Sequence, residues 1–145
     1  MKRVLKLFRQ SKCGASAVEF ALVLPVFLLM LFGIVEFGRL FWTSHALQET
    51  AIATARCMGV PQVECSLEGI YNLARATAFA ESTSNGWFVT LDPTLIRLDH
   101  DADCRGLNGF SSVAIEYQFR TAVPKLIDVL AGGTELKASA CYPNQ

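Results

Sequence analysis

Residues 14–39 read GASAVEFALVLPVFLLMLFGIVEFGR, and from 20 to 35 they contain 16 consecutive residues without a charge. As an α-helix rising 1.5 Å per residue, that run covers about 24 Å. Extending it to Ala15 on one side and Trp42 on the other reaches the thickness of a bilayer core, about 30 Å. Apolar groups surround the whole cylinder, whereas a helix packed on a soluble core needs only one apolar stripe. The pattern predicts a membrane span over about 20–42. Phe41 and Trp42 fall at the far interface, where amphipathic rings collect. Pro25 lies inside the span and has no N–H to donate, so a kink or local loosening is expected there, of a kind membrane bundles tolerate.

The flanks orient the span. Residues 1–14 (MKRVLKLFRQSKCG) hold Lys2, Arg3, Lys6, Arg9 and Lys12 and no acid, while Arg39 and Arg56 are the only cations near the outer end. Positive charge stays in the cytoplasm, so the chain beyond the span is exported. The chain as a whole has 13 basic and 13 acidic residues. That balance offers no basic footprint for nucleic acid. A hydrophobic share of 52%, a charged share of 18% and a mean hydropathy of +0.33 exclude disorder and argue against a purely soluble protein. Removing the leader's five cations leaves an acidic product with a formal charge of −5.

Cysteine placement agrees with export. Cys13 lies in the leader, and Cys57, Cys65, Cys104 and Cys141 all lie beyond the span. An even number in an oxidising compartment reads as two disulfides. The spacing does not form paired C-x-x-C zinc elements, and neither His45 nor His100 completes a ligand set, so no metal is expected. The pairing Cys57–Cys65 follows from a chain reversal at Gly59 and Pro61. The pairing Cys104–Cys141 follows from the strand meander described below.

Glu19 is the residue out of place. A carboxylate at the mouth of an apolar run costs a few kcal/mol and points to a partner; a snorkelling interfacial Glu is the plain alternative. No small-residue cleavage site follows 35, where Glu36, Phe37, Gly38 and Arg39 continue the helix. Glu36 and Arg39, three apart, can pair or be solvated separately. Cleavage before the apolar run fits better. Gly14-Ala15-Ser16-Ala17-Val18-Glu19-Phe20 resembles the type IV prepilin signature, in which a peptidase cuts after Gly and Glu stands fifth in the mature chain. More closely, residues 14–39 are similar to the opening of TadE-like pseudopilins of the Tad (Flp) pilus. Ala15, where type IVa pilins and type II secretion pseudopilins commonly have Phe, favours the Tad branch.

The resemblance implies cleavage between Gly14 and Ala15 by a prepilin peptidase, with Glu19 and Phe20 serving processing and assembly. It implies a minor pilin or pseudopilin acting in Tad pilus assembly and adhesion. Other pilins, inner-membrane assembly proteins and the lipid bilayer are its partners. It places a single-pass protein in a bacterial inner membrane with a periplasmic C-terminal domain, at the pilus or cell surface where the subunit enters the fibre. Two other readings stay open: a type II secretion minor pseudopilin, and an uncleaved single-span anchored protein that binds an unspecified ligand.

Downstream, the expected organisation is α+β. A leader occupies 1–14, a long helix 15–57 and an exported domain 58–145. Leu47, Ala51, Ala55 and Met58 form an apolar stripe that receives the domain. A second helix is expected over about 66–81, with Leu67, Ile70, Tyr71, Ala74 and Ala78 inward. STSNG at 82–86 reads as a turn, and WFVTL at 87–91 and TLIRLD at 94–99 as strand material divided by Asp92-Pro93. Residues 113–123 alternate as a half-buried strand, KLIDVLAGG at 125–133 is a short helix or loop, and 135–142 is a last strand. Together they predict a three-stranded antiparallel meander with 113–123 central. Asp99, Asp101 and Asp103 resemble the start of a calcium loop, but Cys104 stands where Gly is needed and Phe110 where Glu is needed. They read as a solvated acidic loop. No cofactor motif and no catalytic constellation appear, so the chain reads as an enzyme's substrate and not as an enzyme.

Overall fold

The computed structural model describes residues 13–60, 62–121 and 133–145. It is an α+β protein. The chain runs α1 (Cys13–Gly59), β1 (Ser66–Leu67), β2 (Ile70–Tyr71), α2 (Leu73–Gly86), a 3₁₀ turn (Pro93–Leu95), β3 (Ile96–Cys104), β4 (Leu107–Gln118) and β5 (Glu135–Pro143). It divides into two units at Gly38/Arg39. The described part of the first unit, residues 13–38, is helical throughout, and the helix runs unbroken through Pro25.

In the second unit, Arg39–Gln145, the last turns of α1, α2 and the inner face of the sheet share one core. The stripe Leu47, Ala51, Ala55 and Met58 is buried there together with Val113, Ile115 and Ala138. Thr50 and Thr54 are buried beside it, each donating its hydroxyl to the carbonyl four residues earlier, Ala46 at 2.8 Å and Thr50 at 2.8 Å. Those bonds allow polar residues in the core without orphaned hydroxyls. The long helix ends at Gly59.

The sheet has the order β3-β4-β5, all antiparallel, with β4 central. The central strand begins at Leu107 and ends at Gln118, earlier at both ends than expected. Arg105 (φ 57°) and Gly106 (φ 81°) supply the two left-handed residues of a two-residue hairpin between Cys104 and Leu107. Gly109 (φ 81°) then bulges from β4, and a compensating irregularity in β3 between Asp99 and Ala102 restores the register. From Phe110↔Pro143 to Gln118↔Glu135, β4 and β5 pair without a shift.

Three local expectations need correction. The second helix starts at Leu73, because residues 66–71 form a miniature hairpin, Ser66↔Tyr71 and Leu67↔Ile70. Its turn, Glu68 (φ 54°) and Gly69 (φ 80°), requires the left-handed region, which a helix cannot contain. Asn72 caps the helix by accepting the Arg75 N–H at 3.1 Å. The inward residues are therefore Ala76, Ala80 and Ser84; Leu67, Ile70, Ala74 and Ala78 are exposed. Residues 82–86 form the last turn of that helix. Residues 87–91 alternate in burial, with Val89 and Leu91 inward, yet pair with no strand among the described residues. The expected helix or loop at 125–133 and Pro61 fall, but for Gly133, outside the described residues.

Candidate functional site: the apolar helix and its N-terminal boundary

Residues 13–19 form the first two turns of α1, with Gly14 and Glu19 exposed. A Cβ placed on Gly14 meets nothing within 4 Å, so packing among the described residues does not require glycine there. Among the described residues Glu19 makes no ion pair. Phe20 is exposed, as are Leu22, Val23, Val26, Phe27 and Leu29, so among the described residues these apolar side chains are left uncovered around the helix. Pro25 removes one donor from this stretch, leaving the carbonyl of Ala21 without its helical partner. Among the described residues this is the one helix long and apolar enough to cross a membrane.

At the far end of the apolar run, Glu36 is buried and the Arg39 guanidinium carbon lies 5.6 Å from the centroid of the Phe119 ring. Trp42 donates its Nε1–H to the carbonyl of Trp87 at 3.1 Å.

Residues 14–56 match the TadE-like protein family model. This TadE-like segment starts at the candidate cleavage residue and ends three residues before the end of α1. The match spans 43 of the 145 residues, so the likeness to this pilus-associated structural family lies in the long apolar helix. No curated protein and no solved structure matches the chain.

Beyond the TadE-like segment, the structure joins Cys57 to Cys65, with Cα atoms 5.8 Å apart, and Cys104 to Cys141, 6.5 Å apart. The first bond clamps the end of α1 to the start of the β1–β2 hairpin. The second links the β3 end of the hairpin turn to β5 across the central strand, whose Ser112 stands opposite Cys141.

Asp99, Asp101 and Asp103 lie on the outer side of β3 and not in a loop. Their alternation with Leu98, His100, Ala102 and Cys104 has the period of a strand. Asp99 accepts the Asp101 N–H at 3.1 Å, and Asp103 accepts the Gly106 N–H at 2.7 Å, which closes the hairpin turn. Among the described residues no three His, Cys, Asp or Glu side chains converge to hold a metal ion.

One association escapes sequence reasoning. His100 Nδ1 lies 2.9 Å from Ser111 Oγ, and Ser111 donates its hydroxyl to Asn144 Oδ1 at 2.7 Å. Asn144 returns its amide to the carbonyl of His100 at 2.5 Å, and Tyr71 stacks on the imidazole at 4.6 Å. A serine beside a histidine suggests a nucleophile and its base, but the serine proton already goes to Asn144. That assignment makes Nδ1–H the donor to Ser111, so the histidine has no lone pair aimed at the hydroxyl. Ser111 is also 0% exposed. The cluster fastens the C-terminal segment to β3 and β4. No local spacing announces it, since its members stand 11, 33 and 44 residues apart.

Proposed function

We propose that this chain is a TadE-like minor pilin or pseudopilin, cut between Gly14 and Ala15 by a prepilin peptidase and assembled at the inner membrane into or beneath a Tad (Flp) pilus. The observation that carries the reading is the start of the TadE-like match at Gly14, where the basic leader gives way to an apolar helix bearing Glu19.

The residues account for the chemistry. Anionic lipid holds the five leader cations at the cytoplasmic surface and presents the scissile bond there. The first turn of α1 unwinds in the peptidase, and Gly14 offers an unobstructed backbone to it. Hydrolysis leaves a carboxylate on Gly14 and an ammonium on Ala15. Ala15 and Glu19 are one helical turn apart, so the ammonium and carboxylate meet within one subunit or across to the next. Pairing removes the cost of two isolated charges at membrane depth and specifies register as subunits stack.

The mass of the membrane-extracted protein, with N-terminal sequencing, tests this. A chain beginning at Ala15 is expected. A full-length chain in cells with an active peptidase would leave an uncleaved anchored protein as the reading.

A further inference from the structure

The C-terminus of α2 is closed by a pair of backbone bonds, Phe88 N–H to Asn85 O at 3.0 Å and Val89 N–H to Ser84 O at 3.0 Å. Phe88 sits between them at φ 61°, the left-handed position that glycine ordinarily fills in this cap. Its side chain is 93% exposed. The chain thus holds a bulky aromatic residue in a backbone region it disfavours, and the ring gains almost no protein contact in return. Local rules broken together in this way mark functional positions.

Contacts with α1 place the preceding residue, Trp87. The carbonyl of Trp87 accepts the Trp42 Nε1–H at 3.1 Å, and the two indoles meet edge to face at 5.6 Å. The His45 ring, three residues further along α1, also meets Trp87 edge to face, at 5.9 Å. Trp42 follows the last residue of the charge-free run by seven positions, about 10 Å along a helix, within the headgroup zone of a bilayer. Phe41, beside it, is exposed. Residues 82–91 (STSNGWFVTL), between Glu81 and Asp92, carry no charge.

We infer that the Trp87–Phe88 tip inserts into the headgroup–acyl boundary of the bilayer that α1 crosses, and holds the exported domain against the membrane surface before assembly. The occupant of the exposed aromatic face is lipid. That boundary takes up aromatic rings, and a peptide carbonyl already bonded to Trp42 arrives there satisfied. The inference rests on α1 being membrane-embedded, as proposed above.

Trp42 and Trp87 are the two tryptophans, so fluorescence reads this site alone. The full chain is reconstituted in phosphatidylcholine vesicles whose lipids carry bromine near the top of the acyl chain. Trp87→Phe, which retains only the Trp42 emission, calibrates the depth of the helix. Both tryptophans of the native protein are expected to be quenched. Phe88→Ser and Phe88→Gly should each lose quenching by the Trp87 share while Trp42 stays quenched; glycine also relieves the cap, so its loss of quenching is not a loss of folding. Quenching confined to Trp42 in the native protein overturns the inference and leaves the membrane span intact. So does full quenching in both Phe88 variants. Trp87 emission that responds to the protein-to-lipid ratio and not to bromine overturns it in favour of a second copy of the chain. If neither tryptophan is quenched and alkaline carbonate releases the protein, the membrane-span reading itself has failed.

Discussion

Gly59 and Tyr142 approach so closely that no side chain fits between them. A Cβ at 59 would stand 2.8 Å from Tyr142 Cδ1 and 2.9 Å from the carbonyl oxygen of Pro143. The carbonyl of Gly59 accepts the Gln145 N–H at 2.9 Å, so the end of α1 and the end of the chain are bound at the same point. Gly59→Ala should displace β5 and cost about 1–3 kcal/mol, the usual range for overpacking. A lowered thermal midpoint of the detergent-solubilised protein is the expected result. An unchanged midpoint would mean that the aromatic ring and the strand end yield without cost.

Glu19 should behave in the opposite way. It is exposed and makes no ion pair among the described residues, so the folded chain does not depend on it. Glu19→Ala removes a charge from an apolar segment and should leave membrane insertion and the thermal midpoint unchanged. On the proposed charge pairing, assembly should be lost, because the Ala15 ammonium then has no carboxylate to pair with in its own subunit or the next. Cleavage should be less affected, since the scissile bond lies elsewhere. Normal pili in Glu19→Ala cells would rule out the charge-pairing mechanism.

Periodicity reports burial more faithfully than it reports pairing, which separates what could be read in this chain from what could not. Leu47, Ala51, Ala55 and Met58 stand out because a helix repeats its face every three or four residues, and all four are in the core. Residues 113–123 stand out because a strand repeats every two, although the strand ends at Gln118. The same alternation at 87–91 buries Val89 and Leu91 without giving them a ladder partner. The β1–β2 hairpin has strands of two residues, too short for any period, and its only trace is the Glu68-Gly69 pair at the turn. Three acids in β3 disguise a strand as a loop because its outer face is wholly charged there. Gly14 and Glu19 declare themselves by residue type in the wrong setting. Phe88 does not, since what is unusual about it is its backbone angle and exposure.

The two disulfides should differ in worth. Cys57 and Cys65 are separated by 8 positions and Cys104 and Cys141 by 37. Chain-entropy arithmetic gives about 2.5 kcal/mol for the short loop and about 4 kcal/mol for the long one. Cys104→Ser with Cys141→Ser should therefore lower the denaturation midpoint more than Cys57→Ser with Cys65→Ser. Equal effects would show that the short bond does more than close its loop, by holding the hairpin against α1.

Tyr71 gives a prediction with a sign. Among the described residues its buried hydroxyl has no hydrogen-bond partner, although the ring stacks on His100. Burial pushes its phenol above the usual value of about 10, and the Asp99 carboxylate adds to the push. In the unfolded chain Tyr71 ionises near the ordinary value while the folded one still holds its proton. The unfolded state therefore binds fewer protons in that window, and stability falls as pH rises above about 10. Below that pH the contribution is fully present. Tyr71→Phe removes both the titrating group and an unsatisfied hydroxyl, so it should be neutral or mildly stabilising at pH 7. Above about pH 10 its stability should decline less steeply than that of the native protein, in unfolding curves compared at matched pH. Asp99→Asn should bring the Tyr71 ionisation partway back toward the ordinary value, seen in the pH dependence of its ring resonances. An Asp99→Asn chain in which Tyr71 titrates as before would leave burial as the sole cause.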